Sequence, residues 1–357
     1  MAYGTRINLT GDLQLGSGQF AQLFIPDYYQ NPADGRFTLV FHCHSASWAA
    51  EDEIYKVQAN AVLFNIHLGA LSSPYQNYFT DPTRFEVILN LVKSRLQSAG
   101  IIPNPQIENL IVTSFSAGYA GVREILKQSA YYQLIDALHL ADGLHSSSGS
   151  GTMTVQMQDF LTFARAARDG QKTMLMTHSS IPTSGYQSTT QTADYLIQGI
   201  GAVRESCFTS DIIGQQYSCC DTGDFHLKGY YGDTADDHMK HLYAMHLMIA
   251  RTFSLLGLTS SEVAPEYDLI DRFELEPVYP NPFNPATTIG YRLQQPSEVL
   301  LAVYDLLGSQ VACLVQRVTS PGNYSITWDA SGLASGVYLV QLRTPGGSQT
   351  RRCIKIE

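Results

Sequence analysis

The chain has 357 residues, and its 22 basic against 32 acidic side chains give a formal net charge of −10. That length predicts two domains, or one large domain with an appendage. The acidic balance gives no electrostatic support for a nucleic-acid partner, and no apolar run reaches the ~20 residues that a membrane-spanning helix needs.

Strand and helix patterns alternate along residues 1–258. Two short β-like segments open the chain and predict an antiparallel hairpin. After it, continuous apolar runs, expected for strands buried on both faces, alternate with apolar residues at helical spacing. The predicted strands are 7–15, 19–25, 37–41, 61–66, 109–113, 137–141, 173–177 and 225–231; the predicted helices are 51–58, 85–97, 119–129, 160–167, 190–199 and 237–256, and 71–84 is predicted to be loop. This order predicts a mostly parallel α/β sheet flanked by helices, with the hairpin at its edge.

The composition changes after Gly257. Residues 259–276 carry Ser, Pro and acidic side chains without a clear period, which indicates a linker. Residues 277–357 form a second domain of short alternating segments broken by Pro, Gly and Asn, and this pattern predicts a small antiparallel β-sandwich. Its predicted strands are 291–293, 299–304, 310–315, 322–328, 336–342 and 350–356.

Residues 110–118 have the pattern of a nucleophile elbow, a sharp strand-to-helix turn with a serine at its apex. Residues that favour a buried strand run into Ser-Phe-Ser-Ala-Gly, and a predicted helix follows at once. Small residues at 114 and 118 would let the chain turn and hold Ser116 out at the top of the sheet, beside amides that can stabilise an oxyanion. The pattern predicts Ser116 as a catalytic nucleophile; the alternative is a serine that caps the helix.

A serine nucleophile needs a histidine base oriented by a carboxylate, and in such a sheet the chain order is Ser, acid, His. His238 lies between the last predicted strand and the closing helix; His241, one turn further, is the alternative. Asp142 directly follows a predicted strand, whereas residues 178–180 after the next strand include no carboxylate. Asp142 is therefore the predicted acid, with a turn-forming aspartate as the alternative. The competing carboxylates are Asp194, Asp233 and Asp237.

The polar segment 42–47 follows the first central strand and predicts the second half of an oxyanion hole. Backbone amides near His44 or Ser45 would act together with the amide of Ala117. His42 and His44 resemble half of a metal site, but alternate residues at a strand end point to opposite faces and no third ligand follows at a typical spacing, so no metal is predicted. The candidate substrate-binding aromatics, for which packing is the alternative, are Trp48, Tyr75 and Tyr78.

The six cysteines fit an exported protein loosely. Cys207 and the pair at 219–220 share one segment and could close a short loop, and Cys313 could join Cys353 across two strands of the tail. The sequence leaves these pairings open. Cys43 ends an apolar strand and is predicted to be a buried free thiol.

Residues 5 to about 257 resemble the esterase and lipase superfamily of α/β-hydrolases. The resemblance is carried by the loop 42–45, the elbow 114–118, Asp142-Gly143 and Asp237-His238. It implies hydrolysis of a carboxylic ester through an acyl-enzyme, without a cofactor. In that resemblance Ser116 would be the nucleophile, His238 the base and acid, and Asp142 the orienting carboxylate.

Residues 277–357 resemble the C-terminal sorting domain of type IX (Por) secretion substrates. The resemblance is carried by Tyr-Pro-Asn-Pro-Phe-Asn-Pro at 279–285, Val-Tyr-Asp-Leu-Leu-Gly at 303–308, Trp-Asp at 328–329, Leu-Ala-Ser-Gly-Val-Tyr at 333–338 and a basic terminal strand. It implies an Ig-like sandwich that serves as an address for the secretion machinery; an ordinary accessory or binding module is the alternative. Such an address requires a signal peptide, which the first four residues do not resemble, so we expect a secreted or surface protein whose signal was removed.

The combined pattern predicts a secreted serine hydrolase that cleaves carboxylic esters. The sequence leaves open whether the substrate is an acetyl or feruloyl ester of a polysaccharide or a polyester of the cutinase type. Two alternatives remain: a serine peptidase on the same fold, and a catalytically inactive glycan-binding protein displayed at the surface.

Overall fold

The computed structural model describes residues 2–258, 273–293, 297–305, 310–320, 322–344 and 347–356. The chain divides into two compact units, Met1–Tyr267 and Asp268–Glu357. Of the predicted linker, 259–272 lies outside the described residues, as do 306–308 of the tail motif. The prediction was wrong for 273–275, which is a strand paired with 291–293, because Phe273 and Leu275 are buried in the core of the C-terminal unit.

The N-terminal unit alternates strands and helices. Its strands are β1 (Gly4–Asn8), β2 (Phe20–Pro26), β3 (Arg36–Cys43), β4 (Ala61–His67), β5 (Gln106–Phe115), β6 (Ala137–Ala141), β7 (Ser146–Ser147), β8 (Thr173–His178), β9 (Tyr186–Gln187), β10 (Gln216–Thr222) and β11 (Phe225–Tyr230). Its helices are α1 (Ser47–Lys56), α2 (Ser72–Phe79), α3 (Arg84–Ser98), α4 (Tyr119–Leu126), α5 (Ser129–Leu134), α6 (Thr152–Arg168), α7 (Thr189–Gly199), α8 (Ala235–Tyr243) and α9 (Met245–Leu255), and a 3₁₀ turn, Ser116–Gly118, precedes α4.

Nine of these strands form one sheet in the order β1-β2-β4-β3-β5-β6-β8-β11-β10. The six central strands from β4 to β11 run parallel, whereas β1 and β2 form the predicted antiparallel hairpin and β10 closes the other edge antiparallel to β11. The predicted α/β-hydrolase fold is confirmed. Because the parallel strands all end at one edge of the sheet, the loops after β3, β5, β6, β8 and β11 meet there.

Four local predictions for this unit were wrong. The first strand, predicted at 7–15, is β1 at Gly4–Asn8, and 10–14 form turns in which the amide of Leu13 donates to the carbonyl of Leu9 at 3.0 Å. The segment predicted as loop contains α2, whose Tyr75 and Phe79 are buried one turn apart although most of its residues are polar. The edge strand β10 was missed. The long closing helix is two helices that break at Ala244, where the carboxylate of Glu53 accepts hydrogen bonds from the amide and Nδ1 of His246 at 2.9 and 2.7 Å. Glu53, 193 residues earlier in the chain, thus provides a hydrogen-bond acceptor for an amide in the first turn of the second helix.

The C-terminal unit is a sandwich of two antiparallel sheets, as predicted. Its strands are β12 (Phe273–Leu275), β13 (Ala286–Leu293), β14 (Ser297–Tyr304), β15 (Gln310–Thr319), β16 (Gly322–Asp329), β17 (Gly336–Thr344) and β18 (Gly347–Lys355). They pair as β12-β13-β16 and β15-β14-β17-β18. Ile289 and Trp328 of the first sheet share one buried core with Leu301 and Val340 of the second, so each sheet covers the apolar face of the other.

The cysteines follow the sequence prediction in part. Cys207 is bonded to Cys219, which closes the predicted short loop, and Cys43 is a buried free thiol. Cys313 and Cys353 are both free, so the pairing considered for the tail is wrong. These two residues lie on β15 and β18, which two other strands separate. At roughly 4.8 Å per strand that distance is beyond the reach of a disulfide.

Buried histidines line the end of the parallel sheet. His42 and His139 are fully buried, and burial lowers the pKa of each to about 3. Burial likewise lowers the pKa of His178 and of His241 to about 4. The imidazole rings of these four histidines are therefore neutral in the folded protein at physiological pH. Nε2 of His139 lies 2.6 Å from the hydroxyl of Thr252.

We expect the free energy of unfolding to fall between pH 7 and pH 5. An unfolded histidine takes up a proton near pH 6.5, whereas these folded rings do so only near pH 3 to 4. The unfolded state therefore binds more protons in this window, and each histidine contributes a slope of up to about 1.4 kcal/mol per pH unit. Thermal unfolding at pH 5, 6 and 7 measures how the free energy of unfolding changes over this window.

The variant His139→Gln is the matched control, because an amide can keep a hydrogen bond to Thr252 but does not titrate. Its stability should depend less on pH than that of the unchanged protein. An equal slope in the two proteins would mean that the buried imidazole of His139 is not a source of the pH dependence.

Candidate active site

The turn after β5 holds Ser116 in a strained backbone conformation. Its φ is +47°, in the left-handed region that a residue with a side chain rarely adopts. The 3₁₀ turn that begins at Ser116 leads directly into α4. A Cβ on Gly118 would lie 2.4 Å from the carbonyl oxygen of Cys43, so only glycine lets the turn approach β3 this closely. These are the features of the predicted elbow.

The loop after β6 packs against the same turn. Asp142 also has a positive φ, +41°, and a Cβ on the next residue, Gly143, would lie 2.4 Å from the carbonyl oxygen and 2.6 Å from the amide nitrogen of Ser116. The turn after β5 and the loop after β6, each with a strained residue, therefore approach each other closely through backbone atoms. This contact fixes the position of Ser116 relative to Asp142.

Asp142 and His238 form the contact that the sequence predicted. Nδ1 of His238 lies 2.7 Å from Oδ2 of Asp142. The other carboxylate oxygen, Oδ1, accepts the amide of Ser179 at 2.8 Å and the hydroxyl of Thr189 at 2.9 Å. Burial alone would raise the pKa of Asp142, but the hydrogen bond from His238, the nearby His241 and the Ser179 amide together hold this pKa below its usual range. The carboxylate is therefore ionised, and it contacts His238 through Nδ1 and not through Nε2.

Ser116, Asp142 and His238 line one cavity of about 270 Å³. Phe115, which precedes the serine, lies against the ring of His238 with the ring centroids 4.5 Å apart. Thr234 begins α8 with its side chain accepting the amide of Asp237, in a capping box that sets the start of the helix next to His238. Packing on one side and capping on the other thus orient the imidazole in the cavity.

One of the predicted oxyanion donors, the amide of His44, already has a partner in the protein. The amide of His44 donates to the carbonyl of Ile66 at 3.0 Å as part of the sheet. Ser45, the other predicted donor of this loop, is buried. The amide of Ala117 lies in the first turn of a helix, where backbone donors have no partner within the helix. The ring of His44 is neutral, since burial and the neighbouring His67 lower its pKa to about 4.

Of the four competing residues, His241, Asp194 and Asp237 lie in other environments, whereas Asp233 does not. His241 is buried, and its Nδ1 lies 2.9 Å from the hydroxyl of Thr177. Asp194 pairs with Arg204, and Asp237 pairs with Lys240 and caps α8. Asp233 lies on the wall of the same 270 Å³ cavity.

The three candidate aromatics do not line that cavity. Trp48 is half exposed and stacks on Tyr243 at 5.9 Å. Tyr75 is fully buried, and its hydroxyl accepts the amide of Leu68 at 2.9 Å. Tyr78 packs beside Phe79. Sequence reasoning instead missed wall residues from loops that carry no motif, namely His145, Ser179, Ile181, Thr183, Tyr186 and Thr189.

Among the residues described, no three or more His, Cys, Asp or Glu side chains gather as they would around a metal ion. Within the same ranges no helix combines the length and the apolar character needed to cross a membrane.

Residues 277–357 match the family model of the secretion system C-terminal sorting domain, which confirms the resemblance of the tail. A domain of this family implies a secreted or cell-surface protein that contacts the type IX secretion machinery. No curated protein matches the chain.

Solved structures similar to the chain include PorZ, a bacterial surface component of the type-IX secretion system of Porphyromonas gingivalis, at 27% identity over 23% of this chain and 11% of that one, with a TM-score of 0.18. The siderophore hydrolase EstB from Aspergillus nidulans is 10% identical over 71% of this chain and 93% of its own, with a TM-score of 0.38. The enterobactin esterase FES from Shigella flexneri is 8% identical over 71% and 60%, with a TM-score of 0.43.

We expect Gly143→Ala to lower the free energy of unfolding of the N-terminal unit by about 1–3 kcal/mol, because the added methyl group must displace the Ser116 backbone. Urea unfolding measures the change. Gly11→Ala is the matched control, since nothing lies within 4 Å of the methyl group that it adds. Equal stability of the two variants would contradict the contact.

Proposed function

We propose that the N-terminal unit is a serine hydrolase that cleaves carboxylic esters through an acyl-enzyme on Ser116. The observation that carries the proposal is the 2.7 Å contact between His238 and the buried, ionised Asp142, in the cavity that also contains Ser116. A neutral imidazole whose Nδ1–H is held by a carboxylate presents Nε2 as a base.

In the first half of the reaction, Nε2 of His238 takes the proton of the Ser116 hydroxyl while Oγ attacks the ester carbonyl. The amides of Ala117 and Ser45 stabilise the oxyanion, and one such donor is typically worth about 10²–10³ in rate. Collapse of the tetrahedral intermediate breaks the bond to the alkoxy oxygen. The imidazolium then protonates the leaving alcohol, and the acyl group remains on Ser116.

In the second half, His238 takes a proton from water, and the resulting hydroxide attacks the acyl carbonyl. The bond to Oγ breaks, and the proton returns to Ser116. The products are one carboxylic acid and one alcohol for each water consumed. Asp142 stays ionised throughout and stabilises the imidazolium that forms in each half.

The tail supports a role outside the cell, since its family is a sorting domain of a secretion system. A hydrolase exported by this route would meet esters that are outside the cell, such as those of polysaccharides or polyesters. The two compact units each have a core of their own, so the hydrolytic unit does not need the tail for its packing.

We expect Ser116→Ala and His238→Ala to abolish turnover of p-nitrophenyl acetate, and Asp142→Asn to lower kcat by about 10⁴ because the imidazole loses its orienting charge. Initial rates on purified variants measure this, and labelling by a fluorophosphonate should be lost in Ser116→Ala. Ser114→Ala is the matched control, because that hydroxyl is buried without a partner among the described residues. Normal turnover by Ser116→Ala would refute the nucleophile.

Removal of residues 277–357 should leave kcat/KM for p-nitrophenyl acetate within about twofold, because the catalytic groups and their supports all belong to the N-terminal unit. The same assay on the truncated and the full chain tests this. A large loss of activity with an intact fold would mean that the tail takes part in the reaction.

A further inference from the structure

A second depression adjoins the catalytic cavity. It is an open groove of about 510 Å³, and it shares Ile181 and Thr183 with the cavity that contains Ser116. One substrate molecule could therefore occupy the groove with one group while its ester lies at the serine. The groove lies between the segment after β8, the start of α7, the edge strand β10 and the end of β11.

The side chains of the groove wall are uncharged. Apart from Ile181 and Pro182, every residue of the wall carries a hydroxyl or amide side chain, and none carries a formal charge. A slot for an acidic chain would need cations. The wall therefore fits a neutral group with many hydroxyls.

Gln191 is a hydrogen-bond donor with a fixed orientation. Its Oε1 accepts the amide of Ser188 at 2.8 Å, in the capping box that begins α7. Because the oxygen is committed to this backbone amide, the side-chain NH₂ group is the end left for a ligand. Gln191 is exposed on the wall of the groove. Because the capping contact already fixes its side chain, little conformational entropy is lost when the NH₂ group binds a ligand.

Two tyrosines form the aromatic part of the wall. The rings of Tyr217 and Tyr231 lie 5.1 Å apart and are tilted by 43°. The hydroxyl of Tyr217 lies 3.4 Å from that of Thr190 and 3.4 Å from Nδ1 of His178, and these contacts hold its ring in place. Tyr231 is 55% exposed, so its face is open to a ligand. Flat C–H faces of a sugar ring pack on such aromatic faces while its hydroxyls meet the polar groups around them.

The edge strand β10 is held in place close to Tyr217 by a disulfide and by backbone hydrogen bonds. Cys219, two residues further along β10, is bonded to Cys207, and the backbone groups of Cys219 and Glu205 exchange hydrogen bonds at 2.8 and 3.0 Å. The groove is thus built on a fixed edge of the sheet, which is the arrangement expected of a preformed binding site.

We propose that this groove is a subsite for a neutral sugar residue, so that the substrate is an ester on an uncharged oligo- or polysaccharide. The sugar packs on Tyr231 and Tyr217, and Gln191 donates to one of its hydroxyls. This inference rests on the proposed function for its catalytic half, because Ser116 would cleave an ester carried by the same chain.

The test compares two esters, acetylated xylotetraose and p-nitrophenyl acetate, on the full-length protein. Tyr231→Ala and Gln191→Glu should each lower kcat/KM for acetylated xylotetraose about tenfold, the loss expected for one aromatic or hydrogen-bonding contact. The rate on p-nitrophenyl acetate, which is too small to reach the groove, should stay within about twofold. An unchanged rate on the sugar ester, or an equal loss on both esters, overturns the proposal.

Matched variants separate binding from folding. Gln191→Glu keeps an oxygen for the Ser188 amide and exchanges the NH₂ donor for a second oxygen that carries negative charge, whereas Gln191→Ala removes both groups and should also lower Tm. Tyr3→Ala removes a tyrosine that is 67% exposed elsewhere on the same unit and should change neither rate. A third ester, bis(2-hydroxyethyl) terephthalate, tests whether the groove binds aromatic groups instead of sugars. If Tyr231→Ala lowered kcat/KM for this ester and not for acetylated xylotetraose, the sugar assignment would be overturned.

Calorimetry with unacetylated xylotetraose keeps the two proposals distinct. If the protein hydrolyses none of the three esters, the proposed function fails, and binding of this sugar still tests the groove. Binding that Tyr231→Ala abolishes and Tyr3→Ala leaves intact supports the subsite. An absence of binding, together with equal rates of the variants on every ester, overturns it.

Discussion

One buried carboxylate joins the separate parts of the N-terminal unit. Asp142 accepts hydrogen bonds from His238 near the end of the unit, from the Ser179 amide after β8 and from the Thr189 hydroxyl at the start of α7. A charge removed from water is stable only when such partners replace its hydration. Its pKa lies below the usual range for this reason, so the same contacts that stabilise the loops also keep the group ionised for its proposed role.

Ser116, which lines the same cavity as this carboxylate, owes its position to glycines on both sides. Gly118 lets the elbow approach β3, and Gly143 lets the loop after β6 touch the backbone of Ser116. Ser116 and Asp142 both have a positive φ, as do Gln14, His44 and Gln58, so two residues that the proposed chemistry needs have a strained backbone. The surrounding sheet, with its buried neutral histidines, is the rigid support that maintains such a conformation.

The catalytic cavity and the groove beside it differ in chemistry. The cavity contains an ionised carboxylate and an imidazole, whereas the groove contains hydroxyls, an amide and two aromatic rings without a formal charge. They meet at Ile181 and Thr183 on the segment after β8, which belongs to both walls. The same edge of the sheet thus carries the groups that would cleave an ester and the groups that would select its carrier.

Much of the fold could be predicted from the sequence, because continuous apolar runs such as 37–41 and 137–141 report burial on both faces of a sheet. The elbow and the order Ser, acid, His likewise followed from motifs and predicted strand ends, so Ser116, Asp142 and His238 were identified as candidates. Local patterns did not report the polar helix α2, the break at Ala244 or the groove at Tyr217 and Gln191. These depend on partners far apart in the chain, such as Glu53 for His246. By itself the sequence determined which segments are buried; only the tertiary structure decided which distant polar groups meet, because hydrogen-bond partners across loops are set by packing and not by periodicity.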